Sequence, residues 1–171
     1  MDGVNPDYVV EHPLTDAARK NDIDVVYTML YYGTDPNVSN SDGVTALSSA
    51  SFNGNVRMMK MLIDAGADIN GRATGAQKPT HGPIMSASGR SREALRLLLD
   101  LGADVNLQRS DGVTALMCAV NAQRIDAVRM LLDAGADPNL EDSHGRTAAQ
   151  IAREQYHNEE IAQMIERAES K

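Results

Sequence analysis

Apolar residues fall in short stripes at helical spacing, and glycine closes the stripes. In 45–53, Leu47, Ala50 and Ser51 share one face at i, i+3 and i+4. In 56–65, Met58, Met59, Leu62 and Ile63 form a second stripe. Gly54 stands between the two, where the chain must reverse. Thr45, Thr114 and Thr147 stand where an N-cap hydroxyl accepts from a free N–H of the first helical turn. Gly66, Gly102 and Gly135 follow later stripes and suit the left-handed conformation that ends a helix. Asp42-Gly43 and Asp111-Gly112 mark tight turns with positive φ. The pattern predicts units built as turn, short helix, turn, longer helix and glycine stop.

Two strings repeat through the chain in fixed phase. One reads Gly33-Thr-Asp-Pro-Asn37, Gly66-Ala-Asp-Ile-Asn70, Gly102-Ala-Asp-Val-Asn106 and Gly135-Ala-Asp-Pro-Asn139, with its glycines 33, 36 and 33 residues apart. The other reads Asp42-Gly-Val-Thr-Ala-Leu47, Asp111-Gly-Val-Thr-Ala-Leu116 and His144-Gly-Arg-Thr-Ala-Ala149. Together they resemble the ankyrin-repeat family, whose unit of about 33 residues opens its first helix with Thr-Pro-Leu-His. In that family Gly-Ala-Asp-Val-Asn closes the second helix. The resemblance covers roughly residues 9 to 168. It implies an all-α fold, an ankyrin-type α-solenoid of five helix-turn-helix repeats with short β-hairpin loops and no true sheet. The expected organisation is a single domain, 1–171, with repeats at about 9–38, 39–71, 72–107, 108–140 and 141–171. The first and last are capping repeats, because an end unit must face water on one side.

The departures from the family pattern carry information. Proline at the helix start is kept at Pro13 and Pro83, and is Ala46, Ala115 and Ala148 elsewhere. The family's histidine is replaced by Thr15, Ser48, Met85, Met117 and Gln150, which implies a less rigid hairpin network. The third unit gains four residues in its turn and loses one between its helices. The gained segment, 71–82, is glycine-rich with no apolar stripe and is expected to be an inserted loop on the hairpin side. Insertions in repeat arrays often fall on the binding face.

Composition narrows the chemistry. The chain has 171 residues, 42% hydrophobic and 23% charged, a globular balance. With one Phe and no Trp, the core must be built from Leu, Ile, Val, Met and Ala. The net charge of −8 argues against nucleic acid, since phosphate contacts need a basic face. One cysteine excludes an internal disulfide, a Cys-based zinc site and a Cys-x-x-Cys motif. His12, His81, His144 and His157 are not spaced as ligands relative to one another or to Cys118. Cys118 reads as a small hydrophobe of the inner helix rather than a nucleophile. Asp35, Asp68, Asp104 and Asp137 recur once per unit, which suits hairpin residues with backbone partners rather than a calcium cage. Phosphate-binding glycine loops are absent. No metal, cofactor or catalytic residue is therefore expected. The acidic, polar start lacks the basic and apolar regions of a signal peptide, and no apolar run approaches membrane-spanning length. The expected location is cytoplasmic, with no membrane contact.

The resemblance also says where a partner would bind. In ankyrin arrays the hairpin tips and the ends of the inner helices line one concave face. Carried over by position, the tip residues are Ser41, Asp42 and Val44, then Ser110, Asp111 and Val113, then Ser143, His144 and Arg146. The inner-helix ends are Arg19 and Lys20, Phe52 and Asn53, Asn121 and Ala122, and Glu154 and Gln155. Phe52 either stands exposed for a partner or folds onto the shortened third unit. The inserted loop adds Arg72, Lys78 and His81 as candidates. Between 71 and 97, Arg72, Lys78, Arg90, Arg92 and Arg96 face Glu93 alone in sequence, but the fold is expected to spread them over different sides. The expected function is non-catalytic binding of another protein by a chain that is a monomer on its own: an inhibitor, adaptor or assembly factor. Two alternatives stand beside it. One is a bacterial immunity-type protein that neutralises a cognate toxin or enzyme. The other is a self-associating structural protein.

Overall fold

Nearly every helix begins where a side chain caps it. The computed structural model describes residues 12–71 and 82–169. Helix α1, Pro13–Arg19, follows His12, whose Nδ1 accepts from the Leu14 N–H. Asp22 caps α2, Ile23–Tyr31, and Thr45 caps α3, Ala46–Asn53. Asn55 caps α4, Val56–Asp64. Helix α5, Pro83–Ser88, starts after Gly82 with proline in its first turn, where no N–H is required. Ser91 caps α6, Arg92–Asp100, and Thr114 caps α7, Ala115–Asn121. Helix α8, Ile125–Asp133, follows Arg124. Thr147 opens α9, Ala148–Gln150, in a reciprocal capping box with Gln150. The chain then widens into a π-helical stretch, Ile151–Gln155, before α10, Glu159–Glu169. These elements make five helix pairs, an all-α solenoid. Among the described residues the only β feature is an isolated antiparallel bridge between Ser39 and Thr45.

In four of the five pairs a left-handed residue makes the turn between the helices. Asn21, Gly54, Gln123 and His157 occupy it, with φ of 62, 69, 55 and 51°. Only Gly54 takes this conformation without steric cost. The third pair does without it. There Ser91 N–H reaches Ala87 O at 2.8 Å, four residues back, whereas Asn55 N–H reaches Ala50 O, five residues back. The residue missing from the third unit is thus missing from this turn.

First helices stack on first helices and second on second. Leu14, Leu47, Ile84, Leu116 and Ala149, the second helical residue of each unit, are all buried. On the outer row Val26, Met59, Leu95 and Val128 are fully buried, as are Leu62, Leu98 and Leu131. Each unit rests only on its neighbours.

A polar ladder binds one edge of the stack. Within each closing string the aspartate accepts from the asparagine two residues on, as Asp35 does from Asn37 at 2.9 Å. That asparagine then reaches the next unit. Asn37, Asn70 and Asn106 accept from the N–H groups of Asp68, Asp104 and Asp137 at 2.7, 2.8 and 2.7 Å. Asn37 and Asn106 also donate to Gly66 O and Gly135 O. The ladder supplies ties between units that the missing family histidine does not. In its place Ser48 Oγ pairs with Thr45 Oγ1, while Thr15 Oγ1 is buried with no hydrogen-bond partner.

Candidate functional site

The hairpin tips are shaped by one residue each, and it differs from tip to tip. In the second unit Asn40 Oδ1 accepts from the N–H groups of Asp42 and Val44 at 3.0 and 2.9 Å. In the fifth, Asp142 Oδ1 accepts from His144 and Arg146 at 2.8 and 3.0 Å. Its other oxygen takes the Arg146 guanidinium at 2.7 Å. The buried Asp142 carboxyl is held at about 2, chiefly by that guanidinium and then by the two backbone N–H groups. In the fourth unit the same position is Arg109, which cannot accept. Asp111 takes over, accepting from its own loop at Val113 N–H (3.3 Å) and from the Arg109 guanidinium. The pairing lowers the Asp111 pKa and raises that of Arg109. Gly112, with φ of 78°, lies so close to the next tip that a Cβ would sit 2.8 Å from Glu141 O.

Most tip candidates are therefore committed to the fold as well as facing outward. Ser41, Asp42, Ser110, Ser143 and His144 are exposed, and Val44, Asp111, Val113 and Arg146 are half-buried. The fourth and fifth tips, with Asn121 and Gln155 from the inner helices, surround a cavity of about 240 Å³ floored by Met117 and Ile151. Its two arginines each have a carboxylate partner.

Arg19, Lys20, Phe52, Asn53, Asn121, Ala122, Glu154 and Gln155 are all exposed. Arg19 and Lys20 share Asp16, each at 2.6 Å. Asn53 donates its amide to Ala18 O and Arg19 O, both at 3.1 Å, which ties α3 to the end of α1. Phe52 is 49% exposed. It borders a depression of about 330 Å³ with Arg19, Val44, Ser48, Ser49 and Ser86. The third unit covers the ring with a charge rather than an apolar group: the Arg90 guanidinium carbon lies 4.3 Å from the ring centroid. Arg90 was reachable from sequence only through the shortened turn that brings it there.

A second exposed aromatic group lies on α2 and the residue that follows it. Tyr27, Tyr31 and Tyr32 are 57%, 73% and 80% exposed, with Tyr27 and Tyr31 stacked at 6.3 Å. Aligning the repeats would have flagged it. Tyr27 takes the place of Lys60, Arg96 and Arg129, and Tyr31 that of Asp64, Asp100 and Asp133. A cavity of about 710 Å³ lies between α8 and α10 and mixes Leu132 and Met164 with Arg129, Glu160 and Arg167.

Cys118 is half-buried, and desolvation pushes its thiol up to about 11, so at neutral pH it is a thiol rather than a nucleophilic thiolate. Among the described residues no cluster of His, Cys, Asp or Glu is arranged to hold a metal, and no helix is long and apolar enough to cross a membrane. Arg72, Lys78 and His81, with nearly all of the 71–82 loop, lie outside the described residues.

Comparison with known proteins agrees with this architecture. The family model for ankyrin repeats (three copies) matches residues 14–109 and 84–169. The E3 ubiquitin-protein ligase KEG of Arabidopsis thaliana is 30% identical over 108 residues, 63% of this chain and 6% of that protein. YahD of Escherichia coli (strain K12) is 36% identical over 90 residues, 53% of this chain and 43% of that protein. The RelA-associated inhibitor of Mus musculus is 33% identical over 104 residues, 60% of this chain and 12% of that protein. The chain thus spans less than half the length of these relatives, and what it shares with them is the repeat array. Capped helix pairs, the repeated closing string and the match along most of its length show that this chain belongs to the ankyrin repeat family.

Proposed function

We propose that this chain is a non-catalytic module that binds a partner protein across its hairpin tips and inner-helix ends. Ankyrin repeats generally mediate protein–protein interaction; the finer reading is where and how this array does so. The observation that carries it is Phe52, the chain's only phenylalanine, half-exposed beside a depression on this face. An exposed aromatic in a pocket is the kind of residue that dominates binding energy. The effect on the partner is steric or tethering, as for an inhibitor, adaptor or assembly factor. The relative named RelA-associated inhibitor lends the inhibitory version some support, and neutralisation of a cognate toxin or enzyme is one form of it. The tip residues Ser41, Asp42, Val44, Ser110, Asp111, Val113, Ser143, His144 and Arg146 form the rim of the contact. Arg19, Lys20, Phe52, Asn53, Asn121, Ala122, Glu154 and Gln155 form its floor and far edge.

The test is affinity capture from the native lysate, comparing wild type with a Phe52→Glu, Arg19→Glu double variant whose fold is checked by circular dichroism. A protein held by wild type and lost by the folded variant supports the reading. A protein retained by both moves the contact off this face. Self-association is a second reading, favoured by the exposed tyrosines of α2. A dimer that dissociates on Tyr31→Ser would establish it.

A further inference from the structure

The depression beside Phe52 is apolar, but the end of it nearest the inter-helix turns is positive. Val44 closes its hairpin side, with Asp42 two residues away at the tip. Its floor is Ser48, Ser49 and Ser86, small residues that leave room for an incoming side chain. At about 330 Å³ it is near the lower limit for a small-molecule site, about 300–1,000 Å³. That suits one large apolar side chain. Arg19 lines its far end, Lys20 follows it in the chain, and Arg90 lies over the Phe52 ring; Asp16 is the carboxylate shared by the first two. Among the described residues no carboxylate pairs with Arg90. This end thus carries an excess of positive charge on a chain of net −8.

The Arg90–Phe52 contact fits the same purpose. A guanidinium over a ring is held through its charge and its face. Its N–H donors lie in the guanidinium plane and remain available to a carboxylate, which they match in a two-pronged geometry. The ring fixes Arg90 beforehand, so less side-chain freedom is lost when the carboxylate arrives. Further along the same edge the charge changes. Arg124 is paired with Asp126 at 2.9 Å, and Glu154 is exposed.

We infer that the first three units receive an acidic protein segment, one apolar side chain entering the depression beside Phe52 and an adjacent carboxylate engaging Arg90. This deepens the proposed function and rests on it. The segment runs with its acidic end toward the inter-helix turns and its neutral end toward Asp42. Nucleic acid is disfavoured, because the chain carries a net charge of −8 and phosphate binding needs a net basic face.

The experiment selects short random peptides displayed on phage against the full chain. The enriched sequences are then synthesised and their binding measured by fluorescence anisotropy. Wild type, Phe52→Ser, Arg90→Gln, Arg90→Glu and Tyr31→Ser are compared after each is shown to fold by circular dichroism. An oligouridylate of similar length serves as a non-protein polyanion. The expected result is enrichment of Asp or Glu beside a large apolar residue. Affinity falls about tenfold in Phe52→Ser and in Arg90→Glu, less in Arg90→Gln, and is unchanged in Tyr31→Ser. Basic or neutral peptides, or acidic ones that bind Arg90→Glu at wild-type strength, overturn the inference. If those peptides are still lost from Phe52→Ser, the binding face itself stands; if they bind Phe52→Ser unchanged, it falls too. Oligouridylate bound as tightly as the peptides, and lost in Arg90→Glu, overturns it in favour of nucleic acid. A selection that enriches nothing also counts against it.

Discussion

Asp142 gives one buried carboxylate two kinds of donor: two backbone N–H groups and a guanidinium. Its pKa is depressed to about 2 from 3.8, so its contribution to stability is present above pH 4 and lost as pH falls toward 2. Asp142→Asn is expected to lower stability at neutral pH by about 1–3 kcal/mol and to flatten the acid limb between those values. Urea titrations at several pH values would read both effects; an acid limb as steep as wild type's would refute the assignment. His157 makes the opposite case. It is exposed, holds φ of 51° and makes no side-chain hydrogen bond among the described residues. His157→Gly is expected to raise stability by about 0.5–1 kcal/mol, seen as a higher urea midpoint. Part of this scale was legible in the sequence. A threonine hydroxyl before an apolar stripe has one obvious use, and Thr45, Thr114 and Thr147 serve as caps. The caps at Asp22, Asn55 and Ser91 were not drawn from the sequence, because their positions depend on where each inner turn ends.

At the scale of elements, the second helices carry the alternation that stacks the units. Leu98 lies fully buried on α6, in the middle of the outer row. Leu98→Asp puts a charge where no partner can reach it, and is expected to cost several kcal/mol. A thermal melt unchanged within error would contradict that placement. The helix pairs were legible because periodicity and phase repeat in each unit. The π-helical stretch 151–155 was not, since its apolar residues, Ile151 and Ala152, also fit an α-helical stripe. Nor was the asparagine ladder. The recurring asparagine is plain in the sequence, but the backbone N–H groups that donate to it lie in the next unit, about 30 residues away.

At the scale of the molecule, the stack is an acidic array that leaves two aromatic groups exposed on different rows of helices, Phe52 on the inner and the tyrosines on the outer. If the tyrosines serve no self-contact, sedimentation equilibrium at micromolar concentration will return the monomer mass of 18.4 kDa; a dimer mass would favour the self-associating alternative. The sequence placed the tip and helix-end residues on one face through the family pattern alone. It could not tell which were free, because Asn53, Asp111 and Arg146 look like surface residues yet hold neighbouring backbone or charge. The asparagine ladder has a mechanical consequence. It runs unbroken from the first unit to the fourth, with rungs of nearly equal length. On the opposite edge side-chain ties join Asn55 to Asn21 and Asn158 to Gln123, and the shortened third unit interrupts the row. One edge is therefore tied at every step from the first unit to the fourth, while the other lacks such a tie at the third unit. Any flexing of the array is expected to hinge on the asparagine edge and to open the side on which a partner near Phe52 would sit.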